Sequence, residues 1–223
     1  MKTHSLALAL GGALAAAAAA MPAQAQVIVG VHASTAGFGP DAQLKLNDNL
    51  TVRGAGDWLN FSYGRTYDNV HYDGRLKLAT AGAFLDYHPW ASAFLVSAGA
   101  YFGDRRVDIS ARPSGTVTLG GQTFTAAQAG RLDGKIKMAS AAPFAGFGFD
   151  NSTDPDHMGL GFKALLGVAF GGKPSVSLAS TGGSLSGTPA LQSALAQEQA
   201  NIANKGGVLQ YYPVASLGLT YRF

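Results

Sequence analysis

Cysteine is absent from this 223-residue chain, which excludes a disulfide framework, a thiolate nucleophile and any cysteine-based metal site. Charge is scarce: Asp, Glu, Lys and Arg make up only 13% of residues and the formal net charge is +3, with no basic run to suit a nucleic-acid partner. Long apolar runs are missing too. Beyond the N-terminal leader described below, no segment approaches the ~20 apolar residues that a membrane-spanning helix needs. Hydrophobic residues nonetheless form 47% of the chain, and glycine is abundant at 30 residues. High apolar content without helical spans fits residues distributed over many alternating strands joined by tight turns.

The N-terminus is the exception. Lys2 and His4 give a short basic start, Leu6 to Ala20 is an unbroken apolar and glycine run, and Ala23-Gln24-Ala25 supplies a small-x-small cleavage site. The expectation is a cleaved signal peptide over 1–25 and a single mature domain over 26–223, starting at Gln26.

The stretch YYPVASLGLTYRF carries the clearest pattern. Tyr211, Pro213, Ala215, Leu217, Leu219, Tyr221 and Phe223 alternate with Tyr212, Val214, Ser216, Gly218, Thr220 and Arg222. Successive side chains of a strand point to opposite faces, so one face suits lipid and the other a polar lumen.

The same alternation lays out about eight strands over the mature chain. Val27, Val29, Val31 and Ala33 alternate with Ile28, Gly30, His32 and Ser34; after a turn near 36–40, Leu44 and Leu46 oppose Gln43 and Lys45. A third strand sets Leu50, Val52 and Trp58 against Thr51, Arg53, Ala55 and Asp57. Gly64 to Gly74 reads as a loop, and a fourth strand sets Leu76, Leu78, Thr80, Gly82 and Phe84 on the apolar parity against Arg75 and Lys77. Phe94, Val96, Ala98, Ala100 and Phe102 form the lipid face of a fifth. Gly103 to Gly134 reads as an outer loop with a small hairpin around Gly120-Gly121. A sixth strand passes from Ile136 and Met138 to Ala145, Phe147 and Phe149 with an apparent change of parity, so a bulge is expected near Ser140 to Pro143. Leu160 to Phe170 is the cleanest internal strand, and Gly172 to Gly187 reads as loop. Pro189 to Asn204 is the one helical stretch, with Thr188 placed at its N-cap and a Leu and Ile face expected to cap the outer mouth.

The fold class expected is therefore all-β: an antiparallel up-and-down transmembrane β-barrel of about eight strands, with one short helix in the last outer loop. Short connections near 47–49, 88–92 and 150–158 would face the periplasm; longer ones near 64–74, 103–131 and 172–207 would face outwards.

With these segments in view, the mature chain resembles the small eight-stranded outer-membrane β-barrel proteins of Gram-negative bacteria. YDGRLKLATAGAFLDYHP, APFAGFGF and YYPVASLGLTYRF are similar to a subgroup of uncharacterised outer-membrane proteins with a distant likeness to CarO-type uptake porins. The ending Tyr221-Arg222-Phe223 resembles the C-terminal assembly signal of such barrels, with Tyr211, Ala215, Leu217 and Leu219 on the same face. That resemblance implies outer-membrane lipid and the barrel-assembly machinery as partners, and the outer membrane as destination.

Chemistry motifs are few. Gly167 to Lys173 matches the start of a phosphate loop, but Pro174 stands in the Ser/Thr position and no helix pattern follows. Asp154, Asp156 and His157 share a turn with no further ligand nearby in sequence, so no metal or cofactor is expected. His32, His71 and His88 have no catalytic partner at recognisable spacing, and no catalytic residue is assigned. What the alternation does place is a polar lumen lined by His32, Lys45, Arg53, Asp57, Lys163 and Arg222. An eight-stranded interior is just wide enough for side chains. The first reading is a non-catalytic barrel with a structural or surface-interaction role. The alternative is a narrow, cation-lined passage for a small solute. An enzyme acting on lipid would need a His and a Ser within hydrogen-bond reach at the outer rim.

Overall fold

The computed structural model describes residues 26–67, 70–154, 156–205 and 210–223; the expected leader over 1–25 lies outside the described residues. Twelve strands and two α-helices appear in it: β1 (Gln26–Ser34), β2 (Gly37–Asn47), β3 (Leu50–Tyr67), β4 (Val70–Tyr87), β5 (Phe94–Pro113), β6 (Thr116–Leu119), β7 (Gln122–Thr125), α1 (Ala126–Ala129), β8 (Arg131–Lys137), β9 (Ala141–Asp150), β10 (Gly159–Phe170), β11 (Ser175–Thr181), α2 (Pro189–Lys205) and β12 (Tyr211–Arg222).

Eight of these strands close into a ring, β1-β2-β3-β4-β5-β9-β10-β12, every neighbour antiparallel. The seam is the pairing of β1 with β12, in register at Val29↔Tyr221, Val31↔Leu219 and Ala33↔Leu217. Closure matters because a sheet edge left unpaired in an apolar medium has unsatisfied backbone N–H and C=O groups along its length. The up-and-down barrel expected from alternation is thus the observed architecture.

Outward-facing residues form an apolar belt with aromatic side chains near both margins. Tyr87, Trp90, Phe94, Phe149 and Tyr221 lie towards the end bearing the short turns; Phe38, Trp58, Phe102, Phe170 and Tyr211 lie towards the other. Tyr211 and Tyr221 are ten residues apart on one strand. At about 3.4 Å per residue and a tilt near 40°, that is about 26 Å, the height of the apolar band of a transmembrane barrel.

Beyond the ring on the other end, β3, β4 and β5 continue and are joined by β8 and β11 into a five-stranded wall. Gly64 to Gly74 is therefore largely strand rather than loop, as is much of 172–187. The long fifth-to-sixth connection likewise keeps only its middle as loop, because β5 runs on to Pro113 and β8 resumes at Arg131. Its expected hairpin is present as β6–β7.

Two parities differ from expectation. On β4 the inward side chains are Leu78, Thr80, Gly82, Phe84 and Asp86, while Ala79, Ala83, Leu85 and Tyr87 are exposed. The apolar set assigned to lipid is the inward one, and Arg75 and Lys77 point away from the axis. On the sixth strand there is no change of parity: Ile136 and Met138 lie on the same side as Ala142 and Phe144. Above the apolar belt the outside is water, so apolar side chains turn inwards there. The expected irregularity does occur. From Ala169↔Phe144 to Ser175↔Lys137, the sixth strand uses seven steps to the seventh strand's six, one extra residue. Against β5 the register runs through unbroken.

Helix α2 rests on the inner side of the wall. Leu191, Ala194 and Leu195 are buried against Leu119, Phe124 and Ala129, with Val117, Leu132, Leu178 and Leu185 packed around them. Glu198 accepts a hydrogen bond from the Gly120 amide (3.1 Å), which ties the helix to the β6–β7 turn. The Thr188 hydroxyl donates back to the Leu185 carbonyl (2.8 Å).

Candidate functional site

The barrel interior is built in layers. At the short-turn end Gln43 donates to Asp150 (2.9 Å), whose other oxygen accepts from the Ser152 amide (3.0 Å) and hydroxyl. Arg222 donates to the carbonyls of Asp154 (2.6 Å) and Ser152 (3.3 Å) and to the Gln26 side chain. Lys45 reaches Asp48 in the first short turn (2.9 Å), and that hydrogen bond holds the Asp48 carboxyl below the usual carboxylate range.

The middle layer is ionic. His32 lies between Asp41 (3.3 Å) and Asp57 (3.0 Å), and the Lys163 ammonium donates to Asp41 (3.0 Å). Arg53 holds Asp86 with two nitrogens (2.6 and 3.2 Å) and reaches the Ser97 hydroxyl (3.1 Å), which itself donates to Asp86. Paired nitrogens on one carboxylate give this contact both strength and direction.

The third layer is aromatic. Phe84, Tyr101 and Phe144 meet edge to face, with ring centres 5.0, 5.4 and 5.6 Å apart. The Arg53 guanidinium lies 4.1 Å from the Phe84 ring centre, joining the two layers. Room for the rings comes from glycines facing inwards. A Cβ on Gly82 or Gly99 would lie 2.3 or 2.6 Å from the Phe84 ring, and one on Gly146 or Gly167 would lie 2.7 or 2.5 Å from the Phe144 ring.

All six residues named from alternation, His32, Lys45, Arg53, Asp57, Lys163 and Arg222, point into this interior. Their counter-ions were missed. Asp41, Asp86 and Asp150 are buried in the same interior, as is Arg105, so five Lys or Arg, with His32, face four Asp. Asp41 shares the parity of Gln43 and Lys45 and was findable. Asp86 was hidden by the inverted parity of β4. The cations found from alternation are thus interleaved with carboxylates rather than forming an unbroken basic lining. Cavities of about 10 Å³ lie among these residues, one lined by His32, Asp41, Arg53 and Lys163, another by Leu78, Arg105 and Tyr212. Each has room for about one water molecule.

The eight-stranded ring, the filled lumen and the tall one-sided wall can be set against solved structures. Two proteins of Acinetobacter baumannii match: CarO2, 22% identical with a TM-score of 0.62 over 90% of this chain and 100% of that one, and CarO, 22% identical with a TM-score of 0.60 over 89% and 98%. This barrel has the CarO fold. No protein-family model and no curated protein matches the sequence. The CarO likeness read from sequence segments thus extends to the whole barrel, and at this identity it is a likeness of fold.

Outside the CarO-like ring, the histidines found partners that sequence spacing conceals. His88 is buried at the short-turn end, its Nδ1 near the Ser92 carbonyl (3.1 Å) and the Thr153 hydroxyl (3.2 Å). His71 lies between the Thr66 hydroxyl (3.0 Å) and Asp73 (3.3 Å) high on the wall. This is a hydroxyl–imidazole–carboxylate line at the rim, with Thr in place of the Ser that an enzyme reading asked for. Its His and Asp side chains are 47% and 50% exposed. A carboxylate orients and charges a catalytic imidazole from a buried, water-excluded position. Cross-strand neighbours in water form a polar ladder instead. The stretch 167–173 crosses from β10 into the link before β11, both extended, so it forms no phosphate loop.

Proposed function

We propose that this protein is an integral outer-membrane β-barrel with a closed lumen, exported by its leader and without catalytic activity. Its task is carried by the wall and helical cap that stand outside the membrane. The observation that supports this reading is the interior, where, among the described residues, an ionic layer and an aromatic layer lie in series beside gaps of about 10 Å³. The apolar belt with aromatic margins meets lipid. The end with the short turns faces the periplasm, and the wall, β6–β7 and α2 face the exterior. Outer-membrane lipid and the assembly machinery that receives the closing strand β12 are its partners.

Planar bilayers decide the closed-lumen reading. Refolded protein is expected to insert without discrete current steps. Stepwise single-channel conductance from the heat-modifiable, folded species would overturn it in favour of small-solute passage.

A further inference from the structure

The cross-strand register sorts the outward face of the wall into rows. One outward step above the Trp58↔Ala79 pair comes the row Asn60, Lys77, Arg106, Lys137 and Ser175. It sets three cations side by side on adjacent strands, spanning about 10 Å at ordinary strand spacing. The next row up is Ser62, Arg75, Asp108, Lys135 and Ser177, and the one after holds Gly64, Asp73, Ser110, Asp133 and Ala179.

Like charges directly opposite each other weaken a sheet, so anions placed against this row stabilise it. The protein supplies part of one: Arg106 is held by Asp104 (2.6 Å) and Asp108 (3.6 Å). Lys77, Lys135 and Lys137 have no carboxylate within ion-pair distance among the described residues. Over the same face, above the basic row, the wall curves into a cleft of about 650 Å³ lined by Arg75, Asp108, Lys135, Asp133, Arg131 and Ser177. Mixed carboxylates, guanidinium groups and hydroxyls are the donors and acceptors that sugar hydroxyls take.

Height identifies the occupant. Trp58 and Phe102 stand at the upper aromatic margin, where ring side chains sit at the headgroup level. The basic row begins one step beyond Trp58, facing the lipid side rather than the lumen. We infer that this face docks a phosphorylated glycolipid of the outer leaflet, its phosphates on Lys77, Arg106 and Lys137 and its sugars in the cleft above. The inference rests on the outer-membrane reading.

The test uses the mature barrel refolded into phosphatidylcholine vesicles containing a minor fraction of lipid A, a bisphosphorylated glucosamine lipid. Lipid retained on the barrel after detergent extraction is counted by native mass spectrometry. Wild-type protein is expected to retain lipid A over phosphatidylcholine, and to lose that preference for the dephosphorylated lipid. The double variant Lys77→Gln/Lys137→Gln should lose about tenfold of the preference. Arg112→Gln, three outward steps higher on β5, should lose none. Two outcomes overturn the inference: a folded double variant that retains lipid A like wild type, or wild type that shows no preference. Failure of wild type to give a protease-protected, heat-modifiable barrel in the vesicles would instead sink the outer-membrane reading beneath it.

Discussion

Arg53 illustrates how much one interior residue holds. Its guanidinium closes on Asp86, touches Ser97 and lies over Phe84, all of them buried. Truncation to Ala leaves a carboxylate uncompensated in the barrel, and breaking a buried pair in this way costs about 3–5 kcal/mol. Arg53→Ala should therefore lower the unfolding free energy of the refolded barrel by that amount, read as a fall in its denaturant midpoint. Arg53→Met combined with Asp86→Leu should recover most of the loss, since two apolar side chains leave no stranded charge. Equal midpoints for single and double variants would show that the pair carries no net coupling. On the outer face, Leu166→Arg places a charge in the apolar belt and should cost about 2–4 kcal/mol. Leu85→Arg should do the same, because β4 turns Leu85 and not Phe84 outwards. A folded Leu85→Arg barrel of unchanged stability in bilayers would restore the opposite parity for that strand. These residues also show what was legible. His32, Lys45, Arg53, Asp57, Lys163 and Arg222 were found because each interrupts or opposes a strongly apolar parity. Asp86 was not, because Leu78, Phe84 and the alanines around them make both faces of β4 apolar, and alternation then carries no contrast.

At the level of elements, alternation was reliable in β1, β5, β10 and β12, where only one face is apolar. On β4, apolar on both faces, it was inverted within the belt, and above the belt it misled again. Segment 64–74 is polar enough to read as loop, yet it forms the last five of the eighteen rungs of the β3–β4 hairpin, because wall strands need no apolar face towards water. The change of apolar parity in the sixth strand came from the same crossing of environments. Helix α2 was legible from Pro189 and the Leu191, Ala194, Leu195 spacing, but its support, the β6–β7 hairpin, lies some seventy residues away in sequence. Leu195→Asp should thus detach the helix without opening the barrel. Expected results are rapid proteolytic cleavage within 189–205 and an unchanged heat-modifiable band. A cysteine at Gln197, which is exposed, should label with a membrane-impermeant thiol reagent on intact cells. Protection of that cysteine would mean that the helix enters the lumen instead.

Considered as a whole, the molecule combines a low rim at β1, β2, β10 and β12 with a high wall at β3, β4, β5, β8 and β11, above an interior that holds an ionic and an aromatic layer. In the proposed closed barrel the order of these layers has a consequence for function. The aromatic layer lies nearer the wall, and the ionic layer nearer the short turns. A solute would have to displace three interlocked rings before reaching ion pairs whose separation leaves charges uncompensated in a confined space. Disrupting one layer should therefore weaken the barrel without opening it. Phe144→Ala deletes a ring that meets both Phe84 and Tyr101, and large-to-small changes of this kind cost about 3–5 kcal/mol. The variant should show that loss in denaturant unfolding while remaining silent in planar bilayers, because Arg53–Asp86 and Lys163–Asp41 still bridge the lumen below the new cavity. Current steps from folded Phe144→Ala would mean that the rings alone close the barrel and that the ionic layer is permeable, which would favour the alternative of small-solute passage.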